Sequence, residues 1–231
     1  MIVAVSGGLD SLAMAFLVGE HSRRLKRPVE ITAVHVRLNA DGATDGLPEA
    51  IVDWLNARNI EVDEIDPRLD GAELLPLDCS ACARVRRRTL LEAAEQRGAG
   101  FVALGHHADD VVETWLLSLM YTATPETIPA VRSYLNGAVT VVRPAYELQR
   151  SELTRLARLA NFPEPIARCC REGEARREKV RAALAAMGRD QKLVRRQLYW
   201  AAVRGGAETG GQANPDADSD AGKVAGSSKE D

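Results

Sequence analysis

The chain has 231 residues, 45 % of them hydrophobic, and a formal net charge of −3, which suits one sizeable core plus appendages at roughly 100–200 residues per domain. No run approaches the roughly 20 apolar residues of a bilayer span, and residues 1–6 lack the charged region and long apolar stretch of a secretory leader. A cytoplasmic protein with no membrane partner is expected, and four cysteines in that compartment, two at C-x-x-C spacing and two adjacent, point to a metal or redox site rather than to structural disulfides.

Residues 2–5 are a short β-branched run ending in Ser6-Gly7-Gly8, and Leu12, Ala13, Ala15, Phe16 and Leu17 follow at helical spacing. The glycine turn is thus predicted between a strand and a helix. Residues 31–36 read as a second buried strand, 47–58 as a helix and 60–65 as an alternating third strand. Cys79-Ser80-Ala81-Cys82 falls in a predicted loop containing proline and aspartate, just ahead of a helix over 84–97 that Gly98 stops. A strand over 101–104, a helix over 109–121, a strand over 139–142 and a helix over 151–160 complete the alternation, with Ser151 as N-cap and Glu152 in the first turn.

Strands alternating with helices imply an α/β fold, a doubly wound parallel sheet of about five strands with helices on both faces. The helical C-terminal part is assigned to the same domain, 1–204. Residues 205–231 have no aromatic side chain and many Gly, Ala, Ser and Asp, so a disordered tail is expected. Ligands of such sheets bind beyond the carboxyl ends of the strands, where 6–11, 35–38 and 105–110 all fall. Basic residues cluster at Arg84, Arg86, Arg87 and Arg88 and again at Arg176, Arg177, Lys179, Arg181, Arg195 and Arg196, a distribution that fits either a polyanionic partner or solvated helix faces.

Gly7 and Gly8 let backbone N–H groups approach an anion, and the following helix adds its positive end. Ser6 and Ser11 supply hydroxyl donors, and Asp10 suits Mg²⁺ rather than phosphate. The Gly-Lys-Ser/Thr of a Walker A loop and the G-x-G-x-x-G of a dinucleotide site are both absent. The run Ser6-Gly-Gly-Leu-Asp-Ser11 resembles the PP-loop of the ATP-pyrophosphatases, which release pyrophosphate while adenylating a substrate oxygen.

Gly105-His106-His107-Ala108-Asp109-Asp110, with Glu113 and Thr114, opens the fourth predicted helix. Adjacent carboxylates at a helix start are electrostatically tolerable and can hold a phosphate-bridging metal; capping by Asp109 is the plainer reading. Beside a PP-loop, G-H-H-x-D-D-x-x-E-T resembles the tRNA-modifying branch that makes lysidine or 2-thiocytidine.

A C-x-x-C pair with a remote third cysteine can hold a [4Fe–4S] cluster with one open iron, and all four cysteines can hold tetrahedral Zn²⁺. The chain is similar to the tRNA 2-thiocytidine synthetase family over about residues 1–185, through Gly46-Leu-Pro-Glu49, Cys79-Ser-Ala-Cys82-Ala-Arg-Val-Arg-Arg, Ala103-Leu-Gly-His-His-Ala-Asp-Asp110 and Arg143-Pro144. The resemblance implies ATP with Mg²⁺, a [4Fe–4S] cluster, tRNA as substrate and a sulfide or persulfide donor, with a homodimer left open. With it, cluster ligation is expected from Cys79, Cys82 and either Cys169 or Cys170, metal binding from Asp10 and Asp110, catalytic roles for Cys79, Cys82 and Asp110, and a nucleotide site drawn from Ser6, Gly7, Gly8, Asp10, Ser11, His35, Gly105, His106, Arg87 and Arg143.

Three departures bear on that expectation. Leu9 stands where the family usually has Lys, and Cys169-Cys170 replaces a third-site C-x-x-C. The first strand begins at Ile2 without the family's usual N-terminal extension, so tRNA contacts from such an extension are not expected. Lysidine synthesis, which needs no cluster, and iron–sulfur chemistry on a free small molecule are the alternatives.

Overall fold

A computed structural model describes residues 1–38, 45–69, 77–166, 176–187 and 190–208. The elements run β1 (Ile2–Ala4), α1 (Leu9–Arg23), β2 (Thr32–Val36), α2 (Glu49–Asn56), β3 (Glu61–Ile65), α3 (Cys79–Gln96), β4 (Phe101–Ala103), α4 (Ala108–Tyr121), β5 (Val131–Tyr134), β6 (Val139–Val142), α5 (Arg150–Leu159), α6 (Arg176–Ala185) and α7 (Gln191–Glu208). The strands form one sheet in the order β3-β2-β1-β4-β6-β5, every pairing parallel except β5 with β6.

The sheet has six strands, one more than the sequence predicts. The added strand, β5, is a Val-Arg-Ser-Tyr edge segment whose side chains are exposed or half-buried, so it lacks the apolar signal of the central strands. Strand order reverses at β1, which has β2 on one side and β4 on the other. The crevice between the β1 and β4 ends is therefore the switch point where such sheets bind ligands.

Period-2 alternation divides the core. Ile2, Val34, Val102 and Val141 face α3 through Val85, Leu90 and Ala94, while Val3, Val5 and Ala33 face α1 and α2 through Leu12, Met14, Ile51 and Leu55. Each such aliphatic side chain contributes about 1.5–3 kcal/mol when fully buried. A third cluster joins α4 to α6 and α7 through Val111, Val112, Val180, Leu184, Tyr199 and Ala202.

Three boundaries differ from expectation. Asp78 accepts a hydrogen bond from Ala81 N–H at 2.6 Å and caps α3, so the C-x-x-C begins that helix instead of preceding it in a loop. Gln149, not Ser151, is the N-cap of α5, and Glu152 reaches back to accept from Gln149 N–H at 2.8 Å. Helix α7 runs to Glu208, past the boundary predicted at 204; the remainder of the predicted tail lies outside the described residues. Among the described residues no helix is long and apolar enough to cross a membrane.

Candidate active site

The glycine turn leaves backbone donors open to an anion. Gly7 has φ +79°, and Gly8 is an N-cap with no side chain to offer, so the first-turn N–H groups of α1 have no side-chain capping partner. Ser11 braces the turn: its hydroxyl donates to Gly8 O at 2.8 Å and accepts from Ser6 N–H at 3.2 Å. Asp10 sits in the first turn, and its Oδ1 is buried without a hydrogen-bond partner. A buried carboxylate oxygen with no donor is suited to a cation, which satisfies it where a phosphate would repel it.

A cavity of about 360 Å³ opens at the switch point. Ser6, Asp10 and Ser11 of the turn, His35 of β2, Arg86 and Arg87 of α3, and Gly105, His106 and Asp110 beyond β4 line it. Eight of the predicted nucleotide and metal residues thus meet in one space. Arg86 was not singled out; its guanidinium also reaches Leu38 O, and the arginine run gave no sign of which members turn inward.

Close approach of the two halves depends on Gly105. A Cβ there would meet Asp10 O and Ser11 Cα, each at 3.1 Å, and backbone atoms do not yield as a flexible side chain would. His35 ties the same edge together, with Nδ1 2.8 Å from Val5 O and Nε2 3.2 Å from Asp45 O.

The pKa values of the two histidines are shifted in opposite directions. Burial first, then the positive charges of Arg143, Arg177 and Arg87, push His106 down to about 4 against the pull of Asp110. Arg143 Nε donates to His106 Nδ1 at 3.2 Å, which fixes that nitrogen as unprotonated. His107 is buried at the α4 N-cap; burial opposes its charge, but Asp10, Asp110 and Asp109 together raise its pKa. Its Nε2 is 3.6 Å from both Asp10 Oδ2 and Asp110 Oδ2, so the ring joins the glycine turn to α4.

The adjacent aspartates divide. Asp110 lines the cavity and accepts from His107 N–H at 3.0 Å. Asp109 faces away, accepting from Arg150 N–H at 2.8 Å and Arg195 Nη1 at 2.6 Å, so a shared metal-holding pair is not formed. Arg143, predicted as a direct nucleotide contact, is buried behind His106 with Nη1 donating to Pro129 O at 2.6 Å, and does not line the cavity.

Cys79 and Cys82 occupy the first turn of α3, and Cys82 is buried one residue before cavity-lining Ala83. Cys169 and Cys170 lie outside the described residues, yet both ends of their segment are anchored beside the site. Ile166 N–H donates to Gly7 O at 3.1 Å before it. After it, α6 docks on α4: Arg181 binds buried Glu113 through two bonds of 2.8 and 2.9 Å, and Arg177 donates to Thr114 Oγ1 at 3.2 Å. The Glu-Thr end of the second motif thereby acts as an anchor for α6, a role its spacing did not reveal.

Residues 1–186 match the model of the PP-loop domain family. A tRNA-cytidine(32) 2-sulfurtransferase from Citrifermentans bemidjiense is 30 % identical over 203 residues, covering 86 % of this chain and 80 % of that protein. The chain belongs to the PP-loop family, in its tRNA-cytidine(32) 2-sulfurtransferase group. A second such PP-loop relative, from Colwellia psychrerythraea, is 32 % identical over 191 residues, but the match spans 60 % of its length against 80 % of this chain. The solved structure of the U34-tRNA thiolase NcsA from Methanococcus maripaludis, with its [4Fe-4S] cluster, superposes with a TM-score of 0.69 over 90 % of this chain and 71 % of that one. At 18 % identity this likeness concerns the PP-loop fold alone.

Proposed function

We propose that the chain uses ATP and Mg²⁺ to adenylate the C2 carbonyl oxygen of a cytidine in tRNA and replaces that oxygen with sulfur. The observation that carries the reading is the single cavity walled on one side by the Ser6–Ser11 turn and on another by α3, the helix that the C-x-x-C begins. The first-turn N–H groups of α1 would hold the pyrophosphate portion of ATP, and Asp10 and Asp110 would hold the Mg²⁺ that neutralises it. The base oxygen attacks the α-phosphorus, pyrophosphate leaves, a sulfur nucleophile adds at C2, and AMP departs with the original oxygen.

A C-x-x-C pair with a remote third cysteine is the kind of donor set that holds an iron–sulfur centre. Cys82 is buried one residue before cavity-lining Ala83, and the segment carrying Cys169 and Cys170 is anchored at Gly7 and at α4. A [4Fe–4S] cluster held by Cys79, Cys82 and one of Cys169 and Cys170 would supply the open iron that carries sulfur. Neutral His106 lines the cavity without adding charge near the developing adenylate, and Arg87 faces the same space as a hydrogen-bond donor to phosphate.

The test is anaerobic incubation of the reconstituted full chain with ATP, Mg²⁺, sulfide and tRNA, followed by nucleoside mass analysis. Thiolated cytidine should form with equal amounts of AMP and pyrophosphate, at position 32 as the relatives' name has it. Lysine incorporated in place of sulfur, or pyrophosphate released equally well without tRNA, would overturn the proposal.

A further inference from the structure

One face of α7 is not used by the site described above. Lys192, Arg196, Trp200 and Arg204 recur every fourth residue and are all exposed, so they form one stripe along the helix. Between Lys192 and Arg204 the neighbouring exposed positions are Leu193, Gln197 and Ala201, so this stretch of the face carries three positive charges and no acid; the next position at that spacing is Glu208, at the end of the helix. Lys192, Arg196 and Arg204 have no ion-pair partner among the described residues, while Arg195, one position off the stripe, is committed to Asp109.

The aromatic pair on α7 splits in the same way. Tyr199 is buried against Tyr146, and burial pushes its hydroxyl up to about 12. Trp200 is 43 % exposed. An indole flanked by cations at one-turn spacing offers what an unpaired base and its flanking phosphates need: a stacking plane and charges that follow a backbone.

Lys192, Arg196 and Trp200 border a second cavity of about 280 Å³ whose floor includes Ala108 and Asp109, immediately before cleft-lining Asp110. Glu147 and Glu152 also line it, and Glu152 is occupied in capping Gln149 N–H. From Lys192 to Arg204 the stripe extends about 18 Å at 1.5 Å per residue.

We infer that this face of α7 is an RNA-docking surface, with Trp200 stacking on an unpaired loop base and Lys192, Arg196 and Arg204 contacting the flanking phosphates. The inference rests on the proposed tRNA substrate and adds the surface that grips it.

The test measures binding of full-length protein to unmodified tRNA by fluorescence anisotropy at several salt concentrations, with ATP affinity and thermal unfolding as controls. R196A/R204A should bind at least about tenfold more weakly, with a salt slope shallower by about 1.5. Trp200→Ala should lose about tenfold and Trp200→Phe should retain near wild-type affinity, because a phenyl ring still stacks. ATP affinity should be unchanged in all three. Wild-type protein that binds tRNA while the variants match it in affinity and slope would overturn the docking surface alone. Wild-type protein that binds no tRNA would overturn the substrate reading and the surface with it.

Discussion

Ile166 and Gly7 form a latch: the Ile166 N–H donates to Gly7 O at 3.1 Å, and the Ile166 side chain occupies the space that a Cβ on Gly7 would need. The phosphate turn is thus held by the residue that leads into the segment carrying Cys169 and Cys170. Gly7 is required twice over, by its φ of +79° and by this contact.

Gly7→Ala should therefore cost about 1–2 kcal/mol in backbone strain alone, with more from the clash. ATP affinity should fall with it. Adding Ile166→Ala removes the clash but not the strain, so the double variant should recover part of the lost stability. Urea unfolding and calorimetric ATP titration of the three variants check this; a double variant no better than Gly7→Ala would show that Ile166 does not press on the turn.

Nucleotide chemistry and cluster binding should separate by residue. Asp10→Asn keeps the shape but removes the charge that its buried Oδ1 offers a cation; pyrophosphate release should drop roughly a hundredfold or more. Iron content should be unchanged. Cys82→Ser should lose iron and the visible absorption of the anaerobically purified protein while retaining ATP binding. Measured together, iron counts and pyrophosphate release distinguish this division of labour from its reverse.

The state of His106 predicts a pH effect in nucleotide-free protein. Its folded pKa of about 4 lies below the ordinary 6.5, with burial the largest cause. Between those values the unfolded chain binds the extra proton, so this group's contribution is present above pH 6.5, is lost as pH falls toward 4 and is level below that. Unfolding free energies measured across this window should decline more steeply in wild type than in His106→Gln, and parallel profiles would contradict the assignment.

How much of this was legible depended on whether the signal was local. Ser6-Gly-Gly-Leu-Asp-Ser11 could be placed because a β-branched run precedes it and a helical spacing follows, and the cavity forms where that turn meets Gly105. Asp109 and Asp110 look equivalent in one dimension, yet helical geometry turns one to α7 and the other to the cleft. Leu9, which stands where the family usually has Lys, packs against the cluster of Ala13, Ala145 and Leu153 between α1 and α5 and does not line the cavity. Arg143 directly follows β6, but its contact with His106 depended on a fold-dependent meeting of residues 37 positions apart.

The anchor between α4 and α6 supplies the last prediction. Glu113 is buried, with its side chain 4 % exposed, and both its oxygens accept from Arg181. Glu113→Gln removes the charge and one of the two acceptors. Breaking a fully buried pair costs about 3–5 kcal/mol, but Arg181 is 36 % exposed and water can solvate it after the loss. The expected destabilisation is on the order of 2 kcal/mol for that reason. Because α6 follows the segment carrying Cys169 and Cys170, loosening it should also lower iron retention while leaving pyrophosphate-loop residues untouched. Denaturant unfolding together with iron counts checks both effects; full iron retention at reduced stability would separate α6 docking from the cysteine segment.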